Sequence, residues 1–486
     1  MKPILVLSFF TTLALAGFTP SVRIDHGYNC DYAAIAVGPP CGQSQPLYVV
    51  FENDNESSSV CFQKSTDAGT TWLAENQVVC QGEDPDVTTD SHGNVYVVCD
   101  GAGHVYCSLS TDGGTTWSAQ SQVDDSQSRA HAVGARVTTD TAGNLLCAWI
   151  DGRAGYEHIW SSVSTDQGTT WSPNLRVDDD TVSGDCVNPD VFVQPGTNHY
   201  LVAASGPYIC SPGYASYHTY LYRSTDMGHT FSPAFQLDSL YFGYEPHVVA
   251  DAQYVICDYT GSTTGNNLTQ ARTLYTARDT WGPCRSITDK QHDSYYCSKL
   301  ALTADGEVHM ALVADYPEDH YYLCYSLSSD HGASWSSLVH IDSDTTGVKD
   351  CPDIATDSAG RVYVVWEDSR GTHGEIWFST NIPAGIAENS TSALPSVRLK
   401  VEPSVFSRAT TIHISRSSLL PPHLSLFVFD ASGRLVRSFA APSSVVSRPY
   451  LLTWNGCDEA GRRCAPGAYL VRAGSELSKV VLLPTE

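Results

Sequence analysis

The chain has 486 residues, 42% hydrophobic and only 16% charged, so it carries enough apolar surface to fold over most of its length and is not a disordered protein. Its 27 Lys and Arg stand against 53 Asp and Glu, a formal charge of −26 that excludes nucleic acid as a partner and disfavours anionic membrane surfaces. Three Met against 26 Tyr and 10 Trp point to β structure.

Residues 1–16 read as a secretory signal. Lys2 supplies the positive end, Ile4 to Ala16 is a short apolar run, and Ala14-Leu15-Ala16 before Gly17 fits cleavage between small residues. No other stretch is apolar over 18 residues, so the mature chain is expected to have no transmembrane segment and to be secreted or held at the cell surface. Sixteen Cys in an exported chain suggest disulfides, although several, such as Cys99 and Cys257, read equally well as buried strand residues. There is no C-x-x-C pair with metal-like partners, which argues against zinc.

From residue 65 onward one motif recurs. Ser65-Thr66-Asp67-Ala68-Gly69-Thr70-Thr71-Trp72 is followed by copies centred on Asp112, Asp166, Asp226 and Asp330, with worn copies at Asp279 and Asn381. The period is near 50 residues. The Asp carboxylate can bind N–H groups of its own turn, Gly permits positive φ, the hydroxyls pin the turn, and the aromatic ring fills the gap between sheets. A second repeat, Thr88 to Asp100 with parallels from Thr138, Thr303 and Thr356, reads as strand, tight turn, strand. Each unit therefore has four strands, and the array is a β-propeller of seven blades, with six as the alternative.

The five good copies resemble the Asp-box, or bacterial neuraminidase repeat, of the sialidase-like β-propellers, over roughly residues 20–381. The boxes of Asp67, Asp112, Asp166, Asp226 and Asp330 are structural and imply the fold rather than sialidase activity. The seventh unit lacks a fourth strand. Val22-Arg23-Ile24-Asp25 matches the post-box strands of other units, so residues 20–26 are expected to pair with 374–381 and close the ring.

Residues 382–397 read as a linker, which leaves 17–381 as the propeller and 398–486 as a second domain. The charge divides in the same region: −32 over 17–394 and +5 over 395–486. Short strands in the tail suggest an Ig-like β-sandwich. The turn Asp430-Ala431-Ser432-Gly433-Arg434, the stretch from Trp454 to Gly461, and Pro466-Gly467-Ala468-Tyr469 are similar to type IX secretion sorting domains and to FlgD-type Ig-like modules. That resemblance implies a partner in the secretion machinery; the plain alternative is an accessory sandwich. Cys457 and Cys464 flank a tight turn and are the candidate disulfide.

Candidate ligand groups sit on the face opposite the boxes. The second strands end at Asp100, Asp151, Asp258, Asp315 and Asp368, and the loops into the first strands add Glu83, Asp84, Asp86, Asp190, Glu245, Asp350 and Asp353. Converging carboxylates recruit a cation or raise one another's pKa, and oxygen ligands would take Ca²⁺; otherwise they cap loops or pair with Arg. No metal or cofactor is assigned. Arg153 and Arg370 share a W-x-D-x-R pattern. Each is placed to bind a sugar carboxylate or, more simply, to pair with its own Asp. The family's active sialidases carry an R-I-P motif, three Arg, an Asp acid/base and a Tyr–Glu pair. Here Arg23-Ile24 leads to Asp25, and no spacing assigns a triad. The chain is expected to bind an extracellular glycan or protein ligand; a glycoside hydrolase of exo-α-sialidase type and a structural or adhesion protein are the alternatives.

Overall fold

The computed structural model describes residues 17–381 and 398–484, apart from 28, 41–44, 55–57, 127–130, 179–183, 198, 212–213, 239–241, 263–266, 289–292, 317–319, 343, 345 and 372 in the first span and 404, 416–424, 431–434, 441–449, 459–461 and 474–475 in the second. The expected signal, linker and Ala431 to Arg434 turn lie outside the described residues. The chain divides into two compact units, Met1–Pro383 and Ala384–Glu486. No helix of the described residues is long and apolar enough to cross a membrane.

The first unit is a β-propeller of seven antiparallel sheets. Sheet 1 runs Cys30–Val37, Leu47–Asn53, Ser59–Ser65 and Gln77–Gln81. Sheet 2 begins with Glu83–Thr89 and Val95–Gly101, sheet 3 with Ala132–Thr139 and Leu145–Asp151, and sheet 4 with Val187–Val193 and Tyr200–Ser211. Sheet 5 begins with Gly243–Ala250 and Tyr254–Ser262, sheet 6 with Asp293–Leu302 and Val308–Tyr316, and sheet 7 with Lys349–Thr356 and Val362–Asp368. The first strands touch one another in cyclic order from sheet 1 through sheet 7 and back to sheet 1, so the ring is closed.

Closure uses both ends of the unit. Val22–Arg23 is the fourth strand of sheet 7, with Val22 opposite Phe378 and Arg23 opposite Trp377. Ile24 N donates to Ile376 O and Thr19 N to Thr380 O, each at 2.9 Å. The Asp25 carboxylate accepts the Ile376 N–H at 2.8 Å. The expected pairing of residues 20–26 with 374–381 is therefore present.

The recurring turn is a local hydrogen-bond device. In the first copy Asp67 accepts the Thr71 N–H at 2.8 Å, the Thr71 hydroxyl at 2.7 Å and the Ser65 hydroxyl at 2.8 Å. The same three bonds recur at Asp112, Asp166, Asp226 and Asp330. The turn also packs sideways. Trp72 meets Phe378 of sheet 7 edge-on, 5.0 Å between centroids, and Trp117 meets Phe62 of sheet 1 in the same way at 5.2 Å. Gly69, at φ +86°, lies so close to Phe378 that a Cβ would fall 2.2 Å from the ring.

The second unit has a three-stranded sheet (Arg398–Glu402, Thr410–Ser415, Tyr450–Trp454) and a five-stranded sheet containing Ser425–Asp430, Gly467–Ala473 and Glu476–Leu482. One core joins them, with Ile412 and Trp454 packed against Val428, Val471 and Val480. The expected Cys457–Cys464 bond is absent. The hairpin pairs Cys457 with Arg463, one residue out of step. Successive residues point to opposite sides of a strand, so Cys464 packs toward the core while the Cys457 sulfur sits 3.9 Å from the Asn455 carbonyl.

Candidate functional site

The site is built from one irregularity repeated seven times. Every first strand carries a register shift near its start: between Asp31 and Ala34, Glu83 and Asp86, Val133 and Arg136, Val187 and Asp190, Tyr244 and His247, Ser294 and Ser298, and Asp350 and Asp353. A bulge breaks the alternation and re-aims a side chain. In six sheets it places a residue at positive φ: Tyr32 (51°), Asp84 (43°), Gly134 (65°), Asn188 (55°), Glu245 (48°) and Cys351 (43°). For a non-glycine residue this conformation costs about 1–3 kcal/mol. In four sheets Pro follows at once: Pro85, Pro189, Pro246 and Pro352.

These strained residues, except Gly134, line a cavity of about 430 Å³ walled by the first strands of the sheets. Two residues further along each first strand comes a second position. It is occupied around the ring by Ala34, Asp86, Arg136, Asp190, His247, Lys299 and Asp353, all of which line the same cavity. Three acids thus face two permanent cations and an imidazole. The acids also clasp neighbouring sheets. Asp353 accepts the Ile35 N–H at 2.7 Å, and Asp86 accepts Val137 N–H and Asp190 accepts Val248 N–H, each at 2.8 Å. Lys299 Nζ lies 3.4 Å from Asp190, and Arg136 Nη1 lies 3.2 Å from Asp84.

Burial and charge divide these carboxyls. Burial would raise Asp190, but Lys299, His247 and the Val248 N–H hold it below its ordinary value. Burial lifts Asp86 to about 6 against the pull of Arg136. Glu245 is pushed up to about 7 by burial and by Asp350, although Asn188 donates to it at 3.2 Å. Asp100, at the end of the second strand of sheet 2, is pushed up to about 8 by burial and by Asp84. Glu367 is raised by burial and by the adjacent Asp31. Beside Asp350 stand two thiols. Cys297 donates to Asp350 at 3.0 Å, and the Cys297, Asp350 and Cys351 donor atoms lie within 4.8 Å of one another.

The residues singled out from sequence divide into three groups. Asp100 stands beside the cavity, and Asp258 stands behind its wall, bound to Ser298 at 2.5 Å and 3.5 Å from His247. Asp151, Asp368, Arg153 and Arg370 do not line it. Arg153 donates from Nε to Asp151 at 2.7 Å, reaches Asp125 at 2.7 Å and stacks 4.5 Å over Trp160. Arg370 pairs with Asp368, Asp342 and Asp344 and stacks 3.8 Å over Trp377. Asp368 also meets the wholly buried Lys349 at 3.3 Å. Asp315 faces Asp293 in the register of sheet 6, and its side chain lies outside the described residues.

Sequence reasoning gathered Asp84, Asp86, Asp190, Glu245 and Asp353 but did not single out Tyr32, Arg136, Asn188, His247, Lys299 or the two thiols. The signal was the triplet around the proline, Asp84-Pro85-Asp86, Asn188-Pro189-Asp190, Glu245-Pro246-His247 and Cys351-Pro352-Asp353, at the same place in four repeats.

No family model matches the chain, and no curated protein matches it. Among solved structures it is similar to a Hadza microbial sialidase, with 14% identity and TM-score 0.45 over 70% of this chain and 74% of that one. It is also similar to an α-L-arabinanase of Penicillium chrysogenum complexed with arabinobiose (13%, 0.44, 75% and 98%) and to a PL25 ulvan lyase (11%, 0.49, 75% and 94%). At such identities the propeller assignment rests on the strand pairing of this chain, and its chemistry rests on its own residues.

Proposed function

We propose that this chain is an exported, surface-held β-propeller that binds a glycan or another hydroxyl-rich extracellular ligand in the cavity at the centre of its ring. The observation that carries the reading is the set of strained side chains, one from each of several sheets, lining a single cavity of about 430 Å³. Conformational strain repeated at one place and absorbed by the ring is a mark of a functional site. The wall offers acceptors (Asp84, Glu245), donors (Arg136, Asn188, Lys299) and the half-exposed ring of Tyr32. Such a mixture suits sugar hydroxyls and the apolar face of a pyranose.

One observation favours a second reading, a glycoside hydrolase. Glu245 holds a proton up to about pH 7 while Asp190 in the same cavity stays ionised, and carboxyls pushed apart in this way suit acid and base roles. The exo-sialidase form of that reading lacks support, because among the described residues Arg136 is the one Arg lining the cavity.

Titration of the full chain with neutral and acidic oligosaccharides, with Ca²⁺ and with chelator, tests the binding reading. Saturable binding that is weakened about tenfold or more in R136A or K299A supports it. No binding by any saccharide, or binding indifferent to both substitutions, overturns it. Turnover of aryl glycosides that disappears in E245Q while binding persists would replace it with the hydrolase. We assign export and attachment to the second unit; comparing the location of the full chain with that of a chain ending at residue 397 tests this, and unchanged location refutes it.

A further inference from the structure

We infer that Cys80 and Cys99 form a disulfide that ties the outer strand of sheet 1 to the second strand of sheet 2. Cys80 lies in Gln77–Gln81 and Cys99 in Val95–Gly101, and both are buried, at 7% and 1% exposure. The structure holds both as free thiols, with their sulfurs 3.2 Å apart, closer than van der Waals contact. They come from different sheets, so no strand register brings them together.

The chain between the sheets is shaped around this contact. It runs Cys80-Gln81-Gly82 into sheet 2, and a Cβ at Gly82 would fall 2.7 Å from the Cys99 sulfur and 2.8 Å from the Asp100 carbonyl. Glycine is the residue that lets the backbone pass this close. The cross-link closes a loop of about 20 residues, a length at which a disulfide constrains the unfolded chain substantially. It also lies where neighbouring sheets diverge, away from the central clasps of Asp86 and Asp353.

The reaction is thiol–disulfide exchange with an external disulfide, such as an oxidised oxidoreductase or oxidised glutathione. One cysteine thiolate attacks the external disulfide and forms a mixed disulfide. The second thiolate then attacks the cysteine sulfur of that bond and expels the remaining thiol. Two thiols lose two protons and two electrons, one S–S bond forms, and the external disulfide is reduced to two thiols. Contact with Cys80 and burial raise the Cys99 thiol well above its ordinary range, so the folded dithiol is a poor nucleophile. Oxidation therefore belongs to folding, before the two sheets close, and the finished bond is shielded from reductant.

Peptide mapping tests this on the full chain, refolded in mixed reduced and oxidised glutathione and then alkylated in denaturant without reduction. No Lys or Arg lies between Cys80 and Cys99, so cleavage must be after Asp and Glu; Glu83, Asp84, Asp86, Asp90 and Asp100 separate Cys80, Cys99 and Cys107. The expected result is a Cys80–Cys99 cross-linked peptide that survives millimolar reduced glutathione on the folded protein and is lost once denaturant is added. C80S and C99S should each lower Tm, by about 5 °C for a loop of this length. Alkylation of both cysteines in the unreduced sample overturns the assignment, as does a bond from either one to the neighbouring buried Cys107. Mapping needs only the wild-type chain, so it decides the question even where a variant does not fold.

Discussion

Acidity should stabilise this propeller down to about pH 5, the reverse of what a chain with so many carboxylates suggests. Two populations of acids oppose each other. The turn aspartates are held low by the hydrogen bonds they accept: Asp67, Asp166 and Asp330 below their ordinary value, Asp112 and Asp226 at about 2. Their contribution is present above about pH 4, the value of the unfolded chain, and is lost as pH falls through the folded value. The interior acids are the opposite case. Asp86, Glu245 and Asp100 are pushed up to about 6, 7 and 8, and burial raises Glu52 as well. Because their folded values exceed the unfolded ones, their contribution is complete below about pH 4 and is lost as pH rises through 6 to 8. Asp100 is 6% exposed and one of its oxygens has no hydrogen-bond partner. A single proton kept by the folded state and lost by the unfolded one weakens folding by about 1.4 kcal/mol per pH unit. Between pH 5 and 7 Asp100 alone thus removes about 3 kcal/mol, which for a unit of this size lowers Tm by about 4 °C. Calorimetry from pH 3 to 8.5 should show a maximum near pH 5 and a fall on both sides. Asp100→Asn keeps the shape, removes the ionisation, and should flatten the fall between pH 5 and 7. A Tm that climbs from pH 5 to 7, or a slope that D100N leaves unchanged, would refute the division.

Three further outcomes follow from single contacts. Lys349 is wholly buried and reaches Asp368 at 3.3 Å and the Thr346 carbonyl at 2.7 Å, so Asp368→Asn should cost about 3–5 kcal/mol in urea unfolding, whereas Lys349→Met with D368N should recover at least half of that; additive costs would show that the pair is not coupled. Asp330→Ala removes an acceptor of the Ser334 N–H at 2.7 Å and of two hydroxyls and should cost about 1–3 kcal/mol, with no change in saccharide binding, since the turn does not line the cavity. Gly69 and Gly196 both have positive φ, but only Gly69 has a neighbour within 4 Å of a built Cβ; Gly196→Ala should cost about 1 kcal/mol in the same assay and Gly69→Ala about 3 or more, and equal costs would remove the packing role given to Phe378.

What sequence could show depended on how far apart the partners lie. The turn is readable because Ser65, Asp67 and Thr71 satisfy one another within seven residues. The ring closure is readable because Val22 to Asp25 repeats a pattern found at Leu175 to Asp178. The cavity is different: its wall is two positions of the first strand taken from around the ring, and most of its side chains are dissimilar. Asp86, Asp190 and Asp353 clasp the next sheet alike, but Ala34, Arg136, His247 and Lys299 share with them only a place in the ring. The ends of the second strands misled for a physical reason. Trp149 and Asp151 are two apart and so lie on one face of their strand. Trp149 is buried between sheets, and Asp151 therefore turns there too, away from the axis. The same holds for Trp366 and Asp368, which meet at 3.3 Å. Cys457 and Cys464 show the opposite error. The hairpin between them was legible, but a disulfide needs the register to the residue.

The formal charge of −26 should accordingly not be carried into the cavity as it stands. That number counts every carboxyl as ionised. Asp151 and Asp368 are each paired with an Arg, and Asp25 and Asp178 are likewise paired with Arg23 and Arg176. Inside the cavity, Asp190 and Asp353 face Lys299, and Asp86 faces Arg136. Glu245 keeps its proton into the neutral range. A ligand entering at pH 6 therefore meets carboxylates largely offset by Arg136 and Lys299, and an anionic sugar is not repelled by the sum of the chain's charges. At pH 8, with Glu245 and Asp86 ionised and Asp100 beside the wall half ionised, the same wall turns more acidic. Binding of a uronic or sialic acid should weaken across that interval, while binding of a neutral oligosaccharide should hold nearly constant. Parallel titrations of one neutral and one acidic ligand at pH 6 and 8 read this directly, and equal pH dependence for the two would mean that the cavity carboxyls do not set the selectivity.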